Sequence, residues 1–290
     1  MRIFSIDFMQ YRKKALLLSL VCILASVGLI LTRGLNLGID FTGGNVVQVE
    51  FEQSPSIEDV RSALAAVGQG NSIIQSYSDR GIIIRISANE EAARKEAVDA
   101  LRAKYPGMQV VRLEKVGPVV GAELRQEAMV ALFLALAGIL AYITVRFQFR
   151  FAVVSVAALV HDAAITLGIF SLTGMEISSP FIAAILTIVG YSLNDTIVVL
   201  DRIRENWKNL RTQGIAGLLN SSINQTLSRT INTSLTTLLP VIALFIWGGE
   251  VLRSFSFALL VGVLVGTYSS IFVASALLAE WWEKAPLRRS

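Results

Sequence analysis

The sequence predicts a polytopic α-helical membrane protein, with about six transmembrane helices and a small α+β domain outside the membrane between the first and second. Of its 290 residues, 53% are hydrophobic and 17% are charged, whereas an average soluble domain has roughly 25% charged residues. The mean hydropathy is +0.60. The apolar residues fall in blocks, and one long polar stretch interrupts the series. Composition and blocks together exclude an ordinary soluble fold.

Each apolar block is close to the ~20 residues that cross a bilayer core as a helix. The blocks lie at about 15–32, 128–145, 151–172, 180–200, 230–247 and 254–279. The first follows Arg12, Lys13 and Lys14, as in a secretory signal, but it exceeds the usual ~7–15 apolar residues of such a signal. We therefore expect an uncleaved first helix and six spans in total.

Lysine and arginine are concentrated on one side of the predicted spans. They flank the N-terminus, the turn at 146–150, the loop at 201–228 and the C-terminus, whereas 173–179 has none and 248–253 has only Arg253. Basic loops remain in the cytoplasm, so both termini are expected there. The membrane then accounts for the net charge of +4, with lipid as a partner, and no nucleic-acid partner is expected.

These boundaries divide the chain into four parts. They are an N-terminal segment with the first span (1–33), an external domain (34–127), a bundle of five spans (128–280) with a cytoplasmic loop at 201–228, and a cytoplasmic tail (281–290). Apolar residues recur at helical spacing between 203 and 226, which favours a helix or helix pair lying on the membrane surface. A disordered loop is the alternative.

The external segment has the pattern of a small α+β domain. Strands are predicted at about 46–51, 72–77, 81–87 and 110–115, and helices at about 56–67 and 90–105. The order β-α-β-β-α-β is that of a ferredoxin-like unit. Neither a nucleotide-binding nor a metal-binding spacing occurs in it, so we expect no cofactor.

Ionisable residues inside the predicted spans are the strongest sign of a functional site. A charge near the bilayer centre costs about 2.5–3.5 kcal/mol on insertion scales, so it is rarely retained without a role. His161 and Asp162 lie in the middle of the third span, Asp195 lies in the cytoplasmic half of the fourth, and Arg229 begins the fifth. Asn194 and several serine and threonine residues add polarity nearby.

Asp195 is the principal candidate for carrying protons. A carboxylate in a low-dielectric site near an arginine is balanced between its neutral and charged forms, so it can load and release a proton. Arg229 can reach the same depth, and a structural ion pair that pins two helices together is the alternative for these two residues. His161, with Asp162, is a candidate relay, although a neutral histidine bonded to a helix backbone fits equally well.

Catalysis is not expected from this pattern. An intramembrane aspartyl protease needs two carboxylates that share a proton, but Asp162 and Asp195 are offset in predicted depth by about 8 Å at 1.5 Å per residue. The single cysteine, Cys22, lies in an apolar run and cannot by itself form a Cys-based metal site. We therefore expect neither an enzyme nor a metal centre.

A glycine-rich segment follows the first span on the external side. It consists of Gly38, Ile39, Asp40, Phe41, Thr42, Gly43 and Gly44. Glycine permits the positive φ that sharp turns need. The segment lacks the Lys-Ser/Thr ending of a phosphate-binding loop, so the residues alone indicate a bent linker between span and domain.

This segment also resembles the signature of the SecD/SecF protein-export family. The stretches at 189–199, 229–237 and 266–271 are similar to the fourth, fifth and sixth spans of that family. The resemblance covers most of the chain. It implies membership of the resistance–nodulation–division transporter superfamily and a place in the bacterial inner membrane.

The family resemblance implies a role in protein export. Members are expected to pair with SecD and to act with the SecYEG channel, the ATPase SecA and YajC on translocating preproteins, using the proton-motive force to move external domains. By position, Asp195 and Arg229 match the membrane charges that the family uses for proton conduction. A small-molecule exporter of the same superfamily is the alternative, and the sequence leaves open whether protons or another cation drive the protein.

Overall fold

A computed structural model of the protein describes residues 6–86 and 91–284. The chain divides into two compact units, Leu37–Val130 and Met1–Asn36 with Ala131–Ser290. The helices are α1 (Arg12–Arg33), α2 (Ile39–Thr42), α3 (Ile57–Ala65), α4 (Glu91–Lys104), α5 (Pro118–Arg146), α6 (Phe149–Thr173), α7 (Ser179–Glu205), α8 (Leu210–Trp247), α9 (Gly249–Ser269) and α10 (Ser275–Lys284). The strands are β1 (Gly44–Glu50), β2 (Ile73–Ser76), β3 (Gly81–Ile86) and β4 (Gln109–Val116).

Six long helices match the six predicted spans. Five stretches are long and apolar enough to cross a membrane: Met9–Arg33, Val119–Arg146, Phe149–Thr173, Ser179–Trp247 and Leu252–Lys284. The fourth has 69 residues, which is about 100 Å as a straight helix, against about 30 Å of bilayer core. It contains two helices, α7 and α8, joined by a 3-10 turn at Asn206–Asn209. The predicted fold class is therefore confirmed.

Helix α9 packs closely against α7 through two glycines. A Cβ at Gly262 would lie 2.3 Å from the side chain of Ile188, and a Cβ at Gly266 would lie 2.9 Å from that of Ser192. Small residues one turn apart let helix backbones approach each other in membranes. A π-helical turn at Ser270–Ala274 then connects α9 to α10.

Residues 201–228, predicted as a cytoplasmic loop, are mostly helical. Helix α7 extends to Glu205, and α8 begins at Leu210 with a kink at Gly214, where φ is 67°. Beyond the kink, the apolar face of α8 is buried in the core of the bundle unit. Its buried residues and their neighbours there include Leu218, Leu219, Ile223, Phe8, Met9 and Trp282. The first part of α8 therefore packs against other residues of the bundle unit. Residues 285–290 of the predicted tail lie outside the described residues.

The unit Leu37–Val130 contains a four-stranded antiparallel sheet of order β2-β3-β1-β4. The elements follow the predicted order β-α-β-β-α-β, although the predicted ends at 87 and 90 lie outside the described residues. Alternation along the strands, with period 2, buries Val47, Val49, Ile82 and Ile84 in one core. Helices α3 and α4 contribute Val60, Leu64, Ala97 and Leu101 to the same core.

Candidate functional site in the membrane-spanning bundle

Asp195 lies on α7 and is almost fully buried, with 2% of its surface exposed. The hydroxyl of Thr233 on α8 donates to its Oδ1 over 3.3 Å. Its Oδ2 has no hydrogen-bond partner among the described residues. A buried carboxylate normally has its acceptor sites filled, because an unmet one keeps the full cost of desolvation. Asp195 is therefore a buried acid with spare accepting capacity.

Arg229, the predicted partner, lies beyond salt-bridge distance from Asp195. Its side chain is exposed, and no salt bridge, with a nitrogen–oxygen distance of 4.0 Å or less, joins the two residues in the part of the chain that the structure describes. The backbone oxygen of Arg229 instead accepts from Thr233 over 3.0 Å. The charges of the two side chains still attract each other across this longer distance, so the ion-pair interpretation stays a prediction.

Asn194 also lies on an outer helix face. It is exposed on α7 while its neighbour Asp195 is buried, since successive helical residues point about 100° apart at 3.6 residues per turn. Two further exposed residues, Asn232 and Thr236, follow Arg229 on α8 at helical spacing. The bundle thus has polar outer faces on α7 and α8 at the level of the buried carboxylate.

His161 and Asp162 form a second buried site, on α6. A hydrogen bond of 2.9 Å joins His161 Nδ1 and Asp162 Oδ1. Two serine hydroxyls donate to Asp162 Oδ2, from Ser192 on α7 over 2.6 Å and from Ser269 on α9 over 2.8 Å. Asp162 and Asp195 make no hydrogen bond to each other among the described residues.

The glycine-rich segment is more than a linker. Residues Ile39–Thr42 form the single turn α2, and both Ile39 and Phe41 are buried. Gly43 and Gly44 then adopt φ of 70° and 126°, a region that residues with a Cβ rarely adopt. A Cβ on Gly44 would also lie 2.9 Å from the carbonyl oxygen of Ile86. Gly43 and Gly44 therefore allow the chain to pass from the helical turn α2 to strand β1 without a longer loop.

The described residues contain no group of three or more histidine, cysteine, aspartate or glutamate side chains that could hold a metal ion. The buried polar groups of the two sites described above are two carboxylates, one histidine and several hydroxyls.

Two family models match the chain. One, described as protein export membrane protein SecD/SecF, C-terminal, covers residues 96–284, and the other, described as the SecD/SecF GG motif, covers residues 28–55. The chain belongs to the SecD/SecF family. The second match includes the glycine-rich segment, and the first includes every ionisable residue of the two buried sites.

Individual relatives agree with this family assignment. The protein translocase subunit SecF of Desulfurispirillum indicum is 52% identical, over 97% of this chain and 93% of that protein. The SecF subunit of Rhodothermus marinus is 46% identical, over 100% of this chain and 98% of that protein. These relatives identify the SecF branch of the SecD/SecF family.

The fold is similar to a solved structure of SecDF, a translocon-associated membrane protein from Thermus thermophilus. The TM-score is 0.91 at 42% sequence identity, over 97% of this chain. This chain spans 39% of the SecDF chain. A second structure, SecDF in a super-membrane-facing form, gives a TM-score of 0.74 at 43% identity.

Sequence reasoning missed the serine donors of the site. Ser192 and Ser269 both donate to Asp162, yet neither differs in type from the many hydroxyl residues of the spans. Both lie inside the family-like stretches at 189–199 and 266–271, and that position was the available signal. Asp195, Asp162 and His161 are buried, whereas Arg229 and Asn194 are exposed, so the structure separates the predicted site residues into two groups.

Proposed function

We propose that the chain is a subunit of the Sec protein-export machinery that couples the proton-motive force to preprotein translocation across the bacterial inner membrane. The names of its relatives, translocase subunit SecF and SecDF, support the export role. The observation that carries the coupling is the buried Asp195 with an open acceptor at Oδ2. In this proposal Asp195 is the group that loads and releases the proton.

Asp195 is suited to this task by its sparse hydrogen bonding. Its single donor among the described residues, Thr233, lies at a long 3.3 Å, so few interactions hold the carboxylate in its charged form. One elementary charge moving through ~100 mV gains about 2.3 kcal/mol. That energy biases a conformational equilibrium by more than tenfold, provided that proton occupancy favours one conformation.

The proposed partner in the membrane is SecD. Arg229, Asn232 and Thr236 are exposed on α8, as is Asn194 on α7, and exposing such groups to lipid is costly. A polar face of a second membrane subunit would cover them and would offer Arg229 a carboxylate. The SecDF relative, in which the region similar to this chain is 39% of a longer chain, supports such a neighbour. SecYEG, SecA, YajC and the preprotein complete the proposed assembly.

The test is secretion in cells depleted of the native protein and complemented with Asp195→Asn. Asparagine keeps the size of the side chain but fixes the neutral state, so we expect normal assembly with SecD and loss of the stimulation by the proton-motive force. Asp201→Asn is the matched control, because Asp201 lies on the same helix in a half-exposed ion pair with Arg204. Secretion is measured with and without an ionophore, and SecD is co-purified. Parental stimulation in Asp195→Asn would show that Asp195 is structural.

A further inference from the structure

Four consecutive residues, the last three of α9 and the first of the π-helical turn, each bond to a different helix. Thr267 Oγ1 and Ser234 Oγ of α8 are 2.6 Å apart, Tyr268 donates to the backbone oxygen of Ala15 of α1 over 3.0 Å, Ser269 donates to Asp162 of α6 over 2.8 Å, and Ser270 Oγ lies 2.9 Å from Thr196 Oγ1 of α7. Successive residues of a helix point about 100° apart, so four in a row reach around the whole helix. We call Thr267–Ser270 the hydroxyl hub.

The hydroxyl hub contacts the residues that directly follow Asp195 and Thr233. Thr196, bonded to Ser270, directly follows Asp195 on α7, and Ser234, bonded to Thr267, directly follows Thr233 on α8. Asp195 and Thr233 are the two residues joined by the 3.3 Å hydrogen bond. The hub thus fixes α7 and α8 against α9 at the level where that bond forms.

Asp162 anchors the hub to α6. Its Oδ2 accepts from Ser269 of the hub and from Ser192, which lies three residues before Asp195 on α7. A carboxylate oxygen has two lone pairs for hydrogen bonds, and both are used here. Asp195 differs, since its Oδ2 has no partner among the described residues. The Oδ2 atom of Asp162 therefore accepts two hydrogen bonds, whereas that of Asp195 accepts none from the described residues.

Gly266 makes this junction possible. A Cβ there would lie 2.9 Å from Ser192 Cβ, 3.1 Å from Ser192 Oγ and 3.5 Å from Asp162 Oδ2. The first distance is shorter than van der Waals contact allows, so a methyl group would push α9 away from α7. The same substitution changes no charge and removes no donor.

We propose that the hub, Asp162 and Gly266 position Asp195 against Thr233, so that the packing of α9 determines the geometry of the proton carrier. This inference rests on the proposed function of Asp195. Asp162 acts in it as a positioning residue that ties three helices together through its two serine donors, and the proton itself binds only at Asp195.

The experiment uses the full chain in the secretion assay described above, with Gly266→Ala, Ser269→Ala, Asp195→Asn and the double variant Gly266→Ala/Asp195→Asn. The control is Gly138→Ala on α5, where an added Cβ meets nothing within 4 Å. At parental abundance, we expect Gly266→Ala and Ser269→Ala each to reduce the stimulation by the proton-motive force about fivefold, a typical size for coupling residues. Secretion without the proton-motive force should not change.

The double variant separates positioning from packing. If Gly266→Ala acts through Asp195, the double variant should have the same residual stimulation and the same ionophore-insensitive secretion as Asp195→Asn alone. A further drop in abundance or in ionophore-insensitive secretion would show a packing defect and overturn the inference.

Full stimulation in both Gly266→Ala and Ser269→Ala would also overturn it while leaving the proposed function intact. Full stimulation in Asp195→Asn would overturn the proposed function, and with it the positioning role. Should Gly266→Ala fail to accumulate, Ser269→Ala gives the result.

Discussion

Thr233 carries one hydroxyl hydrogen but lies near three acceptors. Its Oγ1 is 3.3 Å from Asp195 Oδ1, 3.0 Å from the backbone oxygen of Arg229 and 2.9 Å from that of Thr230. A hydroxyl has a single hydrogen to donate, so donation to the helix backbone leaves Asp195 without this donor. Rotation of one side chain can therefore change how well the charged carboxylate is stabilised, without movement of either helix.

Replacement of Thr233 tests whether its hydroxyl stabilises the charged carboxylate of Asp195. Thr233→Val keeps the shape but removes the hydroxyl, and a hydrogen bond to a charged group contributes about 1.5–3 kcal/mol. We expect stimulation of secretion by the proton-motive force to fall about tenfold or more, while Thr233→Ser keeps most of it. Thr144→Val is the matched control, since the hydroxyl of Thr144 donates to the backbone oxygen of Leu140 on α5. Equal stimulation of secretion in Thr233→Val and Thr144→Val would refute the role of the Thr233 hydroxyl.

At the scale of elements, helix α3 begins with a reciprocal pair of hydrogen bonds. The backbone N–H of Asp59 donates to Ser56 Oγ over 3.0 Å, and the Ser56 hydroxyl donates to Asp59 Oδ2 over 2.7 Å. Lys104 of α4 lies 3.6 Å from the same carboxylate. The hydrogen bond from Ser56, followed by the charge of Lys104, holds the pKa of Asp59 below its usual value. The start of α3 is therefore linked to the end of α4.

The hydrogen bonds at the start of α3 predict that the stability of the external unit depends on pH. Because the folded pKa of Asp59 is lowered, its contribution to stability is complete above the unfolded value of about 3.9 and is lost as the pH falls through the folded value. In denaturant unfolding of residues 37–130, stability should fall between pH 5 and pH 3 by a smaller amount in Asp59→Asn than in the parent. Asp99→Asn, exposed on α4, is the control. An identical fall in parent and Asp59→Asn would contradict the prediction.

The elements were predictable to different degrees, for physical reasons. Strands such as β3 and long apolar helices such as α6 follow local periodicity, and both lie within a few residues of their predicted positions. The single turn α2 was not predicted, because four residues carry too little pattern. The π turn at Ser270–Ala274 has no local signal. The donors of Asp162 come from residues 30 and 107 positions away, so only tertiary packing could reveal them.

The site was also predictable only in part. Burial of Asp195 and Asp162 follows from their placement inside apolar blocks, and the structure places both inside the bundle. The orientation of Arg229 depends on which face of α8 is packed inside the bundle, and Ser234 and Thr230 lie on that face, since both are buried. Near the end of a span, where polar residues lie on several faces, hydropathy alone cannot select one.

At the scale of the whole molecule, the two units differ in how their polar and apolar side chains are distributed. The unit Leu37–Val130 has an apolar core of Val49, Leu64, Ile84 and Leu101. The bundle also has a buried apolar core, but in addition it exposes many large apolar side chains and buries many hydroxyls. Its exposed residues include Leu17, Leu24, Leu31, Leu235 and Leu239, and its buried ones include Ser155, Thr166, Ser192, Thr196 and Ser269. That arrangement suits lipid outside and interhelical hydrogen bonds inside.

The asymmetry of lysine and arginine then predicts which side of the membrane each segment faces. Basic segments remain cytoplasmic, so the α7–α8 connection should face the cytoplasm and the unit Leu37–Val130 the opposite side. Single cysteines at Asn71 and Gln213, both exposed, are introduced after Cys22→Ser removes the native thiol. In sealed cells a membrane-impermeant thiol reagent should label the cysteine at 71 and not the one at 213, while permeabilised cells should show both. The permeabilised sample is the control for reactivity. Labelling at 213 in sealed cells would reverse the topology and place Asp195 in the opposite half of the bilayer, so its route of proton entry would have to be reassigned.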